Sequence, residues 1–232
     1  MTALPPGQRE SAVFHRFGLT PFATRFPRET VKQALRISGA VATELDLDDP
    51  LAGLPRIAQV SDFHCVTTWS VRGLHWEGVR FSDFYHEVLA PRARPDKAAT
   101  LVALKAQDGA RTGMLLSDLL DDSVLLADRL NGAPLSVDHG APLRLVAPKH
   151  YGYKSVKYLC ELKFLLPETG YRATGFEFMD HPRARVALEE RGRGIPGALL
   201  RYLYRPLIKG TASRFASASR QREKMAASHP VD

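Results

Sequence analysis

The apolar residues of this chain come in short runs, each closed by a turn or breaker signal. That pattern constrains the fold more than any other feature, because it leaves room only for short strands and short helices. TLVALKAQ (100–107) reads as a buried strand ended by Asp108-Gly109, and Asn131-Gly132 is a second strong turn. Residues 57–71, rich in Val, Thr, Phe and Trp, predict strands around a loop. PLRLVAP (142–148) reads as a strand. VKQALRI (31–37) and VKYLCELKFL (156–165) fit a strand or a helix equally. SDFYHEVL (82–89) predicts a short helix capped by Ser82, and SDLLDDSVLLADRL (117–130) a helix from Ser117 that breaks near Asp121-Asp122. No internal repeat is visible. The expectation is an α+β fold, mixed sheets with short helices.

The chain has 232 residues, 44% hydrophobic, enough to bury a core without disulfides. Its two cysteines, Cys65 and Cys160, form no disulfide framework. There is no run of about 18 apolar residues, and the first twenty residues hold no stretch of signal-peptide length. These features predict a cytoplasmic protein. Three segments are expected: an extended Pro-rich arm (1–30), a main domain (31–180) and a basic C-terminal segment (181–232) with a disordered end. Residues 1–180 hold 21 Lys and Arg against 21 Asp and Glu, whereas 181–232 hold 11 against 4, so the whole net charge of +7 lies in the last segment. A nucleic-acid or anionic-membrane reading therefore applies only to the tail.

Two clusters carry possible chemistry. Cys65 lies in SDFHCVTTWS. A lone cysteine among apolar residues reads as an inert buried thiol. As a nucleophile it needs a base, and His64 is on the opposite face of a strand unless the backbone turns between them. His139 is another candidate base. As a metal ligand, one cysteine without CxxC or HxxxH spacing builds no zinc site, so most of the coordination would have to come from a cofactor. The second cluster, DHGAPLRLVAPKHYGYKSVKYL (138–159), gathers His139, Arg144, Lys149, His150, Lys154, Ser155 and Lys157 around Gly140 and Gly152. Tyr151-Gly152-Tyr153 fits a tight turn with exposed N–H groups, and a turn would bring Lys154 and Lys157 to one side as an anion site. The alternative is a solvated basic loop. The phosphate-loop pattern GxxxxGK[ST] is absent.

Together, FHCVTTWSV-x-x-x-x-W-x-GV-x-F-x-DF and HG-x-PLRL-x-x-P-x-x-YGYKSVK resemble the catalytic domain of the sulfite oxidase family of molybdopterin-dependent oxidoreductases, which includes the periplasmic methionine sulfoxide reductase catalytic subunit. The similarity runs from about residue 33 to about residue 166. It implies the family's molybdopterin-binding fold, molybdenum, and molybdopterin in its mononucleotide form. It further implies that Cys65 is the protein ligand to the metal and the catalytic residue. By the same resemblance His139 and Arg144 contact the cofactor, and Ser155, Val156 and Lys157 wrap its terminal phosphate beside the turn of Tyr151, Gly152 and Lys154. Thr100 aligns with a further pocket contact. The implied activity is a two-electron redox reaction or oxygen-atom transfer on a small or sulfur-containing substrate, with a separate electron donor or acceptor and no nucleic acid. The run after Cys65 is Val66-Thr67-Thr68-Trp69, without the arginines that bind the sulfite dianion, which argues against sulfite. The periplasmic location is not expected to carry over, since no twin-arginine signal is seen. Trp69, Trp76, His15 and Arg16 are candidates for the pocket wall.

In IPGALLRYLYRPLIKG (195–210), Arg201, Arg205 and Lys209 recur every four residues beside Leu199, Leu200, Leu203 and Leu207. This segment reads either as a contact for anionic lipid or a redox partner, or as a terminal stretch packed on the domain and broken at Pro206. Two rival functions remain at this level. One is a cofactor-free membrane- or nucleic-acid-binding protein acting through the tail, and the other is a cysteine-dependent hydrolase.

Overall fold

The computed structural model describes residues 3–28, 30–32 and 34–228. The strands run β1 (Arg9–Glu10), β2 (Leu35–Gly39), β3 (Leu45–Leu47), β4 (Arg56–His64), β5 (Trp69–Arg80), β6 (Leu101–Ala106), β7 (Arg111–Leu115), β8 (Leu125–Leu130), β9 (Ala133–Pro134), β10 (Arg144–Val146) and β11 (Leu159–Leu165). They form two sheets. One is built on β1-β5-β8-β10, with β4 beside β5 and β9 beside β8; the other has the order β3-β2-β11-β6-β7. Helices are few and short until the C-terminal segment: α1 (Phe81–Phe84), α2 (Leu116–Leu119), α3 (Gly197–Tyr204) and the longer α4 (Leu207–Ser228). This is the α+β arrangement expected.

The main core lies where the sheets face each other. Leu35 and Ile37 of β2, Val102 and Leu104 of β6 and Leu162 and Phe164 of β11 meet Val79 of β5, Leu126 of β8 and Leu145 of β10. In β2 and β6 polar or exposed positions alternate with these buried ones, as a half-buried strand requires. Of the ambiguous runs, residues 35–37 lie in β2 and 159–165 in β11, while residue 33 lies outside the described residues; the two strands pair in parallel from Glu161 opposite Arg36 to Phe164 opposite Gly39.

Residues 117–130 are not one helix. Only α2 is helical there, and 125–130 form β8. Leu125 packs into a second core with Leu74, Trp76 and Val146, while Leu126 packs into the first. A strand covered on both faces has a continuous apolar run rather than an alternating one, and a run of that kind is easily read as helical. The helix expected at 82–89 exists, but it starts at Phe81 and continues as a π-helix over Tyr85–Ala93, so Ser82 is not its cap.

The arm is held on the domain, and part of it, Thr20–Phe22, is a 3-10 helix. β1 pairs in parallel with β5, and the buried Arg16 donates to Ala23 O at 2.7 Å and Arg25 O at 2.7 Å. Residues 1, 2 and 29 of the arm lie outside the described residues. The tail differs from the disordered end expected, because α4 is a helix as far as Ser228. Phe215, Ala218 and Ser219, three and four residues apart, form its buried stripe, with Phe215 packed on Phe22 and Ala23 of the arm and Ser219 bonded to Asp138. Residues 229–232 lie outside the described residues. Among the described residues no helix is long and apolar enough to cross a membrane.

Candidate functional site

The site begins at the β4–β5 hairpin. Cys65 N donates to Trp69 O at 2.8 Å and Thr68 N to Cys65 O at 3.1 Å, with Thr68 in the left-handed region at φ 86°. The chain therefore reverses directly after His64, and strand alternation stops there. His64 is turned away, with Nδ1 2.8 Å from Ser70 Oγ. Cys65 Sγ lies 3.1 Å from Thr67 Oγ1. Burial pushes the Cys65 thiol up, against the pull of Thr67, Arg191 and Lys157. A neutral thiol bonded to a hydroxyl is a poor nucleophile.

The turn at 151–155 lies against this hairpin. Gly152 N donates to His64 O at 2.8 Å and Ser155 N to Gly152 O at 3.2 Å. A Cβ on Gly152 would sit 2.1 Å from Phe63 Cζ, so the close approach of turn and hairpin requires glycine. Gly152→Ala is expected to lower stability by about 1–3 kcal/mol through overpacking, measured as the denaturant midpoint of unfolding.

Beyond the turn, three cations gather. Arg144 is buried, and its guanidinium donates to His139 O at 2.7 Å, Ser155 O at 3.2 Å and Leu145 O at 3.4 Å, all neutral carbonyls. Burial brings its pKa down to about 9. Lys157 Nζ reaches Phe17 O at 3.5 Å, and burial followed by Arg144 and Arg16 brings its pKa down to about 7. The Nε of Arg16 is 3.8 Å from the carboxylate of the half-exposed Asp138. Asp108 and Asp138 face the cluster as well, but Arg144 is bonded only to neutral carbonyls, so its buried charge is costly without an anion. His139 stacks on Phe14 at 4.6 Å and 6°. Burial, Arg144 and Lys157 bring its pKa down to about 4, so the ring is neutral at pH 7.

These groups share one cavity of about 230 Å³. Cys65, His139, Arg144, Gly152, Ser155, Val156 and Lys157 all line it, together with Trp69, His15 and Arg16. The structure does not bring three other candidates there. Tyr151 is buried beside Ala184 and Val186 with Arg191 over its ring. Thr100 is exposed, and its carbonyl accepts from Leu116 N. Lys154 donates to Gly113 O at 2.6 Å and to Asp180 Oδ1 at 3.1 Å. It does not share a side with Lys157, because the segment is not helical after Ser155: Val156 N turns back to Lys154 O and Val156 O accepts from Leu145 N. Trp76 belongs to the second core, where its ring lies 4.8 Å from the Arg144 guanidinium.

Sequence reasoning missed Thr67, Asp108, Phe14, Phe17, Phe63 and Phe215, which also line the cavity. Thr67 was findable, two residues from Cys65 in the same tight loop. No local signal marks Phe215, because it arrives on the distant α4.

Among the described residues no group of three or more His, Cys, Asp or Glu converges in a way that could hold a metal ion. A metal at Cys65 would have to bring its other ligands with it. A sulfur donor in one cavity with Lys157 and a buried arginine bonded only to neutral carbonyls fits a phosphorylated chelate carrying a thiophilic metal.

Comparison with known proteins agrees with this chemistry. Residues 23–170 match the model of the oxidoreductase molybdopterin binding domain. The oxidoreductase YuiH of Bacillus subtilis is 34% identical over 164 residues, 69% of this chain and 78% of that protein. The protein-methionine-sulfoxide reductase catalytic subunit MsrP of Xanthomonas campestris is 29% identical over 214 residues, 80% of this chain and 66% of that protein. The MsrP of Xanthomonas axonopodis is 30% identical over 178 residues, 67% of this chain and 55% of that protein. The chain thus spans more than three quarters of the first of these relatives, and between half and two thirds of the MsrP proteins. This chain belongs to the oxidoreductase molybdopterin-binding domain family.

Proposed function

We propose that this molybdopterin-dependent oxidoreductase binds its cofactor in the mononucleotide form, with Cys65 as the one protein ligand to molybdenum, and acts on a small, sulfur-containing substrate. The observation that carries the reading is the single cavity shared by Cys65 Sγ and the Arg16–Arg144–Lys157 cluster. When bound, the cofactor supplies two-electron redox and oxygen-atom chemistry.

This chain's residues do the rest. Cys65 must give up its proton to ligate, and the Thr67 hydroxyl 3.1 Å away stabilises the thiolate by donating to it. Arg144 and Lys157 neutralise the phosphate, with Ser155 beside them. One cation cluster in the cavity matches one terminal phosphate. His139, neutral and held flat against Phe14, orients the organic ring system by hydrogen bonds from its imidazole. Trp69, Phe17 and Phe63 pack with ring centroids 5.6 Å apart and keep water from the sulfur side. The loop Val66-Thr67-Thr68-Trp69 itself carries no cation, and the positive charge nearest Cys65 comes from Arg191 and Lys157. The electrons come from or go to a separate redox partner.

Metal analysis of the purified full chain, together with the fluorescence of its released and oxidised pterin, tests the reading. About one molybdenum and one pterin per chain, with no nucleotide released, are expected. A chain made in a cofactor-competent host that holds neither would overturn it.

The rival hydrolase lacks its base at His64, which bonds Ser70 instead.

A further inference from the structure

The outer face of α3 is apolar and uncovered. Leu199, Tyr202, Leu203 and Leu207 are 56%, 59%, 60% and 54% exposed. Leu199, Tyr202 and Leu203, three and four residues apart on α3, form one stripe, and the exposed Leu207 begins α4 after the turn at Arg205-Pro206. The inner face of the same helix is used otherwise. Leu200 and Tyr204 are buried, and Tyr204 lines the cavity that contains Cys65. The arginine side chains flank the stripe, Arg201 and Arg205 lying 5.3 Å and 5.4 Å from the Tyr202 ring. Arg201 also approaches Glu189 at 3.5 Å and Arg205 donates to Gly7 O at 3.4 Å, which fixes the helix on the domain with its leucines outward. Lys209, one turn further on, is exposed.

We propose that this face docks the protein on an anionic phospholipid surface, with Leu199, Leu203 and Leu207 in the acyl boundary and Tyr202, Arg201, Arg205 and Lys209 at the headgroups. Charge selects this occupant. Arg183, Arg185, Arg191, Arg193 and Arg201 are paired with carboxylates, and the positive charge next to the stripe is that of α4, which holds Lys209, Arg214, Arg220, Arg222 and Lys224 against Glu223. A second copy would set one basic face against another, which is repulsive. A nucleic acid would match the charge but leave exposed leucines against phosphate. An anionic bilayer satisfies both the stripe and its basic border.

Co-sedimentation of the full, cofactor-loaded chain with vesicles tests the proposal. One vesicle type is pure phosphatidylcholine, the other one part phosphatidylglycerol to two of phosphatidylcholine. Binding at least about tenfold tighter to the phosphatidylglycerol vesicles, weakening as salt rises, is expected. The Leu199→Asp/Leu203→Asp variant should lose at least about tenfold of that binding while keeping its melting temperature and pterin content. Lys209→Glu, at an exposed position, should weaken binding severalfold. No binding to either vesicle, equal binding to both, or undiminished binding by the double variant overturns the proposal. So does a dimer, seen by light scattering, that the double variant splits, because the face would then belong to a second copy. Capture of an acidic protein through the stripe in the absence of vesicle binding has the same consequence.

Discussion

Replacing Cys65 by serine should remove molybdenum and turnover together. Serine keeps the shape of the loop: the hydroxyl can still meet Thr67 Oγ1, and the backbone bonds from Cys65 N to Trp69 O and from Thr68 N to Cys65 O do not involve the side chain. The site is buried, so the slightly smaller oxygen costs no more than about 1 kcal/mol of packing. The fold therefore survives, and the loss is chemical. A serine hydroxyl is a harder and far less acidic donor than a thiol, and it does not replace a thiolate on a thiophilic metal. Turnover should fall by about 10³-fold or more, equivalent to about 4 kcal/mol of transition-state stabilisation, and metal content to a small fraction. Because burial holds the Cys65 thiol up, metal loading of the native protein should release a proton that loading of the serine variant does not. Cys160 supplies the control. Its thiol, which donates to Lys105 O at 3.4 Å and is pushed up to about 11, is not part of the cavity wall, so Cys160→Ser should keep both metal and activity. A Cys65→Ser protein with full molybdenum and full rate would defeat the ligand assignment.

How far the sequence disclosed this site depends on how local each signal is. Cys65, Gly152 and Lys157 were legible because the motif fixes them within tight turns, where few backbone paths exist. Lys154 was not. Whether two lysines three apart share a side depends on the backbone angles between them, and these are set by the tertiary bond from Leu145 N to Val156 O. The same holds for β8. Its leucines face two separate cores, so no period in 117–130 distinguishes it from a helix. The tail was illegible for a different reason. ASRFASASRQREK is polar enough to read as disordered, and its helix exists because Phe215 finds Phe17 and Phe22 in an arm some two hundred residues earlier. Once that contact is known, the bond from Ser219 Oγ to Asp138 at 2.7 Å follows as part of the same packing.

Lys157→Met should empty the cavity of cofactor and stabilise the cofactor-free protein at neutral pH. In the cofactor-free fold, Lys157 has a pKa of about 7 against the usual 10.5, because burial, Arg144 and Arg16 all disfavour the ammonium. The unfolded chain therefore binds more protons than the fold between about pH 7 and 10, and stability must rise with pH across that window. From pH 7 to pH 9 this one group contributes about 2 kcal/mol at most. Methionine has a similar length and no charge to desolvate, so the variant should start more stable at pH 7 and show a correspondingly flatter rise. Binding a phosphate reverses the balance. The anion restores the proton on Lys157, so cofactor binding takes up a proton above pH 7, and affinity should fall by up to about tenfold per pH unit over that range. The methionine variant should lose this dependence together with most of its pterin. Arg144, lowered to about 9, adds a second and similar fall only at higher pH. Urea unfolding of the two cofactor-free proteins at pH 7 and pH 9, with the pterin retained after dialysis at the same two values, separates the effects. If the variant keeps its pterin, the phosphate is not at Lys157. If it loses pterin but unfolds with the native pH dependence, the ammonium is not the group that the fold holds neutral.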